Sequence, residues 1–149
     1  MSKYDIKKDR KYSKTHEWVK VEGDIAIIGI TDFAVDALGG ITNIELSIET
    51  EDPKVRNPLE EGMKVKKGAS IAVIDTAKAT EDVYSPVSGE ITEINWDLES
   101  DPEIVESSPY ENGWFIKVKM DDPSELDELL TPEEYVEHVK KEAEELGLE

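Results

Sequence analysis

Hydrophobic positions along this chain recur mostly with a period of two, which predicts a protein built from short strands. Trp18-Val19-Lys20-Val21 alternates, Glu22-Gly23-Asp24 supplies turn residues, and Ile25–Ile30 is a largely β-branched run, so a hairpin is expected here. Thr31 can cap a short helix through Leu38, with Ala34, Val35 and Leu38 at helical spacing and Gly39-Gly40 as its stop. Ile41, Ile44, Leu46 and Ile48 alternate with polar residues apart from one slip and predict a further strand. Residues 49–62 hold two prolines and many charges without a period, and are expected to be loop.

The alternation then resumes. Val65, the turn Lys66-Lys67-Gly68 and the run Ile71–Ile74 predict a turn and strand, and Val83-Tyr84 begins another. Ser85–Gly89 is a turn, Glu90–Ile94 alternates, and Trp114, Ile116 and Val118 share one face of a last strand. Thr131-Pro132-Glu133-Glu134 is a capping box that opens a helix over about 132–146, with an apolar stripe of Tyr135, Val136, Val139, Ala143 and Leu146 and Gly147 as its stop. Many short strands with turns between them predict a mainly β sandwich or barrel closed by small helices. Residues 1–11 lack any period and are expected to be a flexible lead to a single domain over 12–149. A faint internal echo links Gly23–Ile28 with Gly68–Ile74.

Charge and composition remove several function classes. The net charge of −19 repels nucleic acid and anionic membrane, and can steer the protein toward basic faces on partners. With no cysteine there is no thiol nucleophile, disulfide or thiolate metal site, which fits a reducing cytoplasm. No apolar stretch is long enough to span a membrane, and no secretory leader is predicted. His16 and His138, the two histidines, lie far apart without metal-ligand spacing, so no metal site is expected. No serine sits in a nucleophile elbow, and an enzyme is not expected. Trp18, Trp96 and Trp114 are assigned to the core or its rim.

Residues 62–94 carry the chemistry. A strand ends at Ile74, another begins at Val83, and small and polar residues between them surround one long side chain, Lys78. That pattern pushes a primary amine out from a tight turn, and Ala77 and Ala79 leave room for a modifying enzyme to grip the tip. The stretch resembles the lipoyl-lysine hairpin shared by acyltransferases of 2-oxoacid dehydrogenase complexes and the H protein of the glycine cleavage system. Asp75, Lys78, Ala79, Ser85-Pro86 and Gly89 match that pattern. Biotinyl domains place their lysine between methionines, so Ala77-Lys78-Ala79 speaks against biotin.

Features outside the hairpin resemble the H-protein family in particular: Tyr12-Ser13-Lys14-x-His16-Glu17-Trp18, Gly29-Ile30-Thr31-Asp32, Ala37-Leu38-Gly39, Ser108-Pro109-Tyr110, Gly113-Trp114 and Glu125-Leu126-x-x-Leu129-Leu130. The resemblance spans about Tyr12 to Tyr135 and implies a barrel-sandwich hybrid fold like that of lipoyl domains. It implies a non-enzymatic carrier with lipoate bound covalently to Lys78, which shuttles the aminomethyl intermediate of glycine among glycine decarboxylase, aminomethyltransferase and dihydrolipoyl dehydrogenase. A lipoate ligase or lipoyl transferase would attach the arm, reading Asp75, Ala77 and Ala79. Glu17 and Asp82 match the carboxylates that hold the amine in an arm cleft. A cytoplasmic monomer is expected.

Three features depart from the family pattern. The usual Glu-Ser-Val-Lys-Ala is here Asp75-Thr76-Ala77-Lys78-Ala79, the 49–62 loop is long, and the first helix has Phe33 and Ala37 where some members carry a histidine. These departures leave open an H-like paralogue that carries sulfur intermediates for a heterodisulfide-reductase-like system of sulfur oxidation. An unlipoylated interaction module is the further alternative.

Overall fold

A computed structural model describes residues 4–147. The first three residues of the expected lead and the last two of the expected domain lie outside the described residues. Strand β1 (Lys11–Tyr12) pairs with β2 (Glu17–Glu22), which turns at Gly23 into β3 (Ile25–Ile30). Helix α1 (Asp32–Leu38) follows, with Thr31 Oγ1 accepting from the Ala34 amide at 3.2 Å and Gly39 closing the last turn at φ 79°. Only a residue tolerant of the left-handed region ends a helix this way. The hairpin and the helix therefore form where the alternation and the cap predict them.

The strand expected over residues 41–48 breaks at Leu46 into β4 (Ile41–Glu45) and β5 (Ser47–Glu49). The expected loop 49–62 also needs correction, because it contains β6 (Arg56–Pro58), paired with β5. Arg56 explains the pairing: its guanidinium donates to the Ser47 carbonyl at 2.6 Å and to Ser70 Oγ at 3.1 Å. No local period encodes such a bond.

Next come β7 (Lys64–Val65), β8 (Ser70–Thr76), β9 (Thr80–Tyr84) and β10 (Gly89–Ile94), then two short helices, α2 (Asp97–Ser100) and α3 (Glu103–Ser107). The pattern did not announce α2 and α3; each is too short to show a period, and each is held by one buried side chain, Leu98 or Val105. The chain ends with β11 (Ile116–Met120), a 3-10 turn over Pro123–Glu128 and α4 (Pro132–Leu146). The capping box at Thr131 and Glu134 forms as expected. In the stripe, Tyr135, Val139 and Ala143 are buried, but Leu146 is exposed and drops out of the core.

A six-stranded sheet, β1-β2-β3-β11-β10-β7, and a three-stranded sheet, β4-β8-β9, supply the main core, in which Ile28, Ile74, Ile91, Phe115 and Val118 are fully buried. A second cluster joins Tyr12, Trp18, Phe33, Tyr110 and Tyr135 and docks α4 on the sheet. Trp18 belongs to this cluster and Trp114 packs at its margin, whereas Trp96 is exposed. Within the expected lead, Tyr4 and Arg10 make contacts with the body of the domain. Tyr4 packs edge-on against Phe33, and the buried Arg10 lies 4.6 Å over Trp18 and donates to the Tyr110 carbonyl at 3.1 Å. A cation held against aromatic rings gives a polar segment a reason to stay put.

Candidate functional site

Lys78 sits at the tip of the β8–β9 hairpin. Asp75 faces Thr80 across the ladder, and the Thr76 amide donates to the Ala79 carbonyl at 2.9 Å, leaving Ala77 and Lys78 as the tip. The Thr76 hydroxyl staples the turn by accepting from the amides of Ala79 at 3.0 Å and Lys78 at 3.3 Å. Asp75 accepts from Thr80 Oγ1 at 3.0 Å and from Asn43 Nδ2 at 3.3 Å, so it ties β8 to both neighbouring strands. Ala77, Lys78 and Ala79 are all exposed, and among the described residues Lys78 makes no ion pair. The result is a free amine on a stiff mount. The Thr76 hydroxyl is what holds the mount closed.

Beside the hairpin lies a cleft of about 180 Å³. Ile74 and Val83 come to it from the hairpin, Ala34, Ala37 and Leu38 from α1, and Thr15, His16 and Ile30 from around the β1–β2 loop. Glu17, Glu81 and Asp82 also line this cleft, whose surface is mixed polar and apolar. The structure thus brings Glu17 and Asp82 to one cleft although they are far apart in sequence. Glu81 was not foreseen, since alternation assigns it only to the face opposite Asp82.

The two acids expected in the cleft differ in state. Asp82 is exposed, and one of its oxygens accepts from the Tyr84 hydroxyl at 3.3 Å. Glu17 is only 2% exposed. One of its oxygens accepts from Ser13 Oγ at 2.6 Å and from Thr15 Oγ1, and the other from the Tyr84 amide at 3.2 Å. Burial pushes the Glu17 carboxyl above the usual carboxylate range, against the pull of these hydrogen bonds. Glu17 therefore holds the β1–β2 loop to β9 as well as lining the cleft.

His16 occupies the same loop with φ 74°, a left-handed conformation uncommon outside glycine. Its ring packs 4.8 Å from Phe33 and contributes an imidazole to the cleft, although α1 carries no histidine. His138, expected to be remote, stacks on it with ring centroids 5.3 Å apart. Sequence separation gave no sign of this meeting, which α4 makes by folding back over the loop.

The family model for the glycine cleavage H-protein matches residues 10–142. The chain is 46% identical over 139 residues to a glycine cleavage system H protein of Thermus thermophilus, covering 93% of this chain and 99% of that protein. It is 43% identical over 136 residues to a probable glycine cleavage system H protein of Aeropyrum pernix, covering 91% of this chain and 87% of the relative. A crystal structure of a glycine cleavage system H protein from Mycobacterium marinum superposes with a TM-score of 0.73 at 32% identity, covering 89% of this chain and 97% of that one. The expected mainly β barrel-sandwich hybrid with a C-terminal helix is the fold observed.

Proposed function

Because this chain belongs to the glycine cleavage H-protein family, we propose that Lys78 is the residue through which it carries its lipoyl group. The protein is a lipoyl carrier of glycine cleavage, and its cofactor is lipoate bound covalently to a lysine. One observation supports Lys78 above the other lysines: it projects from a stapled hairpin tip between two alanines, beside a cleft suited to an aliphatic arm. Asp82 lies four residues from Lys78, roughly 13 Å along an extended strand. Ile74 and Val83 of the hairpin and Ala34, Ala37 and Leu38 of α1 would hold the aliphatic part of the arm, with Glu17, Glu81 and Asp82 lining the same cleft.

Once attached to Lys78, the lipoyl group would supply a dithiolane able to carry an aminomethyl unit derived from glycine. This chain's own residues tether and shelter it. A rigid hairpin raises the effective concentration of the arm at each docked active site. Asp82 and Glu81 offer exposed anionic acceptors to an ammonium, whereas Glu17 shapes the cleft wall and accepts through a carboxyl already engaged. The acidic cleft favours this cationic cargo over the anionic species of a sulfur pathway.

In this reading the protein is a carrier with no catalytic residue of its own. It docks as a monomer with glycine decarboxylase, aminomethyltransferase and dihydrolipoyl dehydrogenase, and a lipoate ligase or lipoyl transferase modifies it by gripping Asp75, Ala77 and Ala79. We assign it one carrier domain and the cytoplasm as its compartment, which the lack of cysteine fits. No described helix is long and apolar enough to cross a membrane.

Intact-mass spectrometry tests the attachment. Protein made with a lipoate ligase that modifies a known H protein gains one lipoyl increment, and Lys78→Arg abolishes it. An unmodified wild-type product under those conditions overturns the assignment and favours the unlipoylated module.

A further inference from the structure

We propose that His16, His138 and Glu142 form a binding site for a divalent transition-metal ion, with Zn(II) as the preferred occupant, where α4 meets the β1–β2 loop. The site is independent of the lipoyl assignment. His138 and Glu142 stand four residues apart on α4, the spacing that puts two donors on one helix face. His16 approaches from the loop, and donor atoms of the three side chains lie within 4.8 Å of one another. Tetrahedral Zn(II) with bonds of about 2.0–2.1 Å needs donors roughly 3.3 Å apart. Small side-chain rotations on α4 supply that closure.

The hydrogen bonds already orient both imidazoles for this role. His138 Nε2 lies 2.9 Å from the Lys14 carbonyl, which can only accept, so Nε2 carries the proton and Nδ1 keeps its lone pair. Among the described residues nothing donates to that Nδ1. His16 turns Nε2 toward Glu142 and Nδ1 toward the Tyr135 hydroxyl at 2.8 Å. With a metal on Nε2, His16 carries its proton on Nδ1 and donates it to Tyr135 Oη. Tyr135 in turn is 2.7 Å from Thr31 Oγ1. Carbonyl and hydroxyl partners of this kind commonly orient metal-bound histidines.

Two further features set the cluster apart from the acidic surface around it. All three side chains are half-buried, and His16 adopts its left-handed backbone in the position that aims its ring at α4. Two imidazole nitrogens with one carboxylate and no thiolate suit Zn(II), Co(II) or Ni(II) rather than Ca(II) or Mg(II), which prefer oxygen. Three protein ligands leave a fourth position for water. A bound ion would pin α4 to the loop whose His16 and Glu17 line the arm cleft.

Titration of the full-length protein with Zn(II), by calorimetry against a competing chelator, tests the site, with Co(II) absorption as a second readout. One ion per chain is expected, with visible Co(II) bands typical of low coordination. His138→Ala and Glu142→Gln, each confirmed as folded by circular dichroism, should each weaken Zn(II) roughly tenfold or more and abolish the Co(II) bands. Glu145→Gln on the same helix should change neither. Absence of one-to-one binding, or binding unchanged in both ligand variants, overturns the proposal. These variants leave His16 and its strained loop intact, so the test does not depend on a His16 variant folding.

Discussion

Tyr12 and Tyr135 lie face to face, ring centroids 4.4 Å apart and planes 9° from parallel, so the first strand and the last helix share one core. Tyr135 also sends its hydroxyl to Thr31 and His16, the helix cap and cleft loop beside the hairpin. Tyr135→Ala should cost about 3–5 kcal/mol of unfolding free energy, the range for truncating a buried aromatic. Tyr135→Phe keeps the stack but leaves two partners short, and should cost about 1–3 kcal/mol. Urea unfolding of the two variants separates stacking from hydrogen bonding, and equal losses would contradict the assignment.

Glu17 and Asp82 share a cleft but should respond in opposite ways. Glu17→Ala removes the acceptor of the Tyr84 amide and two hydroxyls, and should lose about 1–3 kcal/mol of stability. Asp82→Asn is an exposed change and should alter stability by less than about 0.5 kcal/mol. In the lipoylated protein, however, Asp82→Asn should raise the KM that glycine decarboxylase shows for its carrier. Unchanged kinetics would remove Asp82 from the arm cleft.

Gly89 begins β10 where no side chain fits: a Cβ there would stand 2.0 Å from the Lys119 carbonyl oxygen. The obstacle is backbone in the neighbouring strand β11, so it cannot rotate away. Gly89→Ala should destabilise by at least about 1–3 kcal/mol, the usual cost of overpacking, with a lowered thermal midpoint in calorimetry. A midpoint equal to that of the wild type would mean that the two strands separate more easily than this packing implies.

Asp32 accepts from the Asp5 amide and the Tyr110 hydroxyl, yet burial lifts its carboxyl above the unperturbed aspartate value of 3.8. With the folded pKa above the unfolded one, the folded state binds more protons between the two values. The stabilisation from protonated Asp32 is thus complete below the unfolded value and is lost as pH rises through the folded one. Asp32→Asn cannot titrate, so its stability relative to wild type should increase as pH climbs from acid toward neutral. Denaturant unfolding across that window checks the sign, and a relative decrease would contradict it.

Local chemistry reached far into this protein. Thr31 and the glycines after Leu38 delimit α1, the capping box opens α4, and Lys78 between two alanines marks an exposed hairpin tip from neighbouring residues alone. Period-two alternation located most of the strands because it reports burial on one face of a sheet. Strand β6 escaped notice because it depends on Arg56 bonding to Ser47 and Ser70, and the contacts of Tyr4 and Arg10 depend on rings beyond the lead.

By itself the sequence determined the mainly β class, the hairpin that presents Lys78 and the acidic character of the surface. Each of these follows from residues near one another in the chain. Only the tertiary structure decided that Glu17 is buried and engaged, that Glu81 joins Asp82 at the cleft, and that His16 meets His138 and Glu142. Contacts of that range are set by how α4 and the sheets pack, and the spacing of residues along a chain does not carry that information.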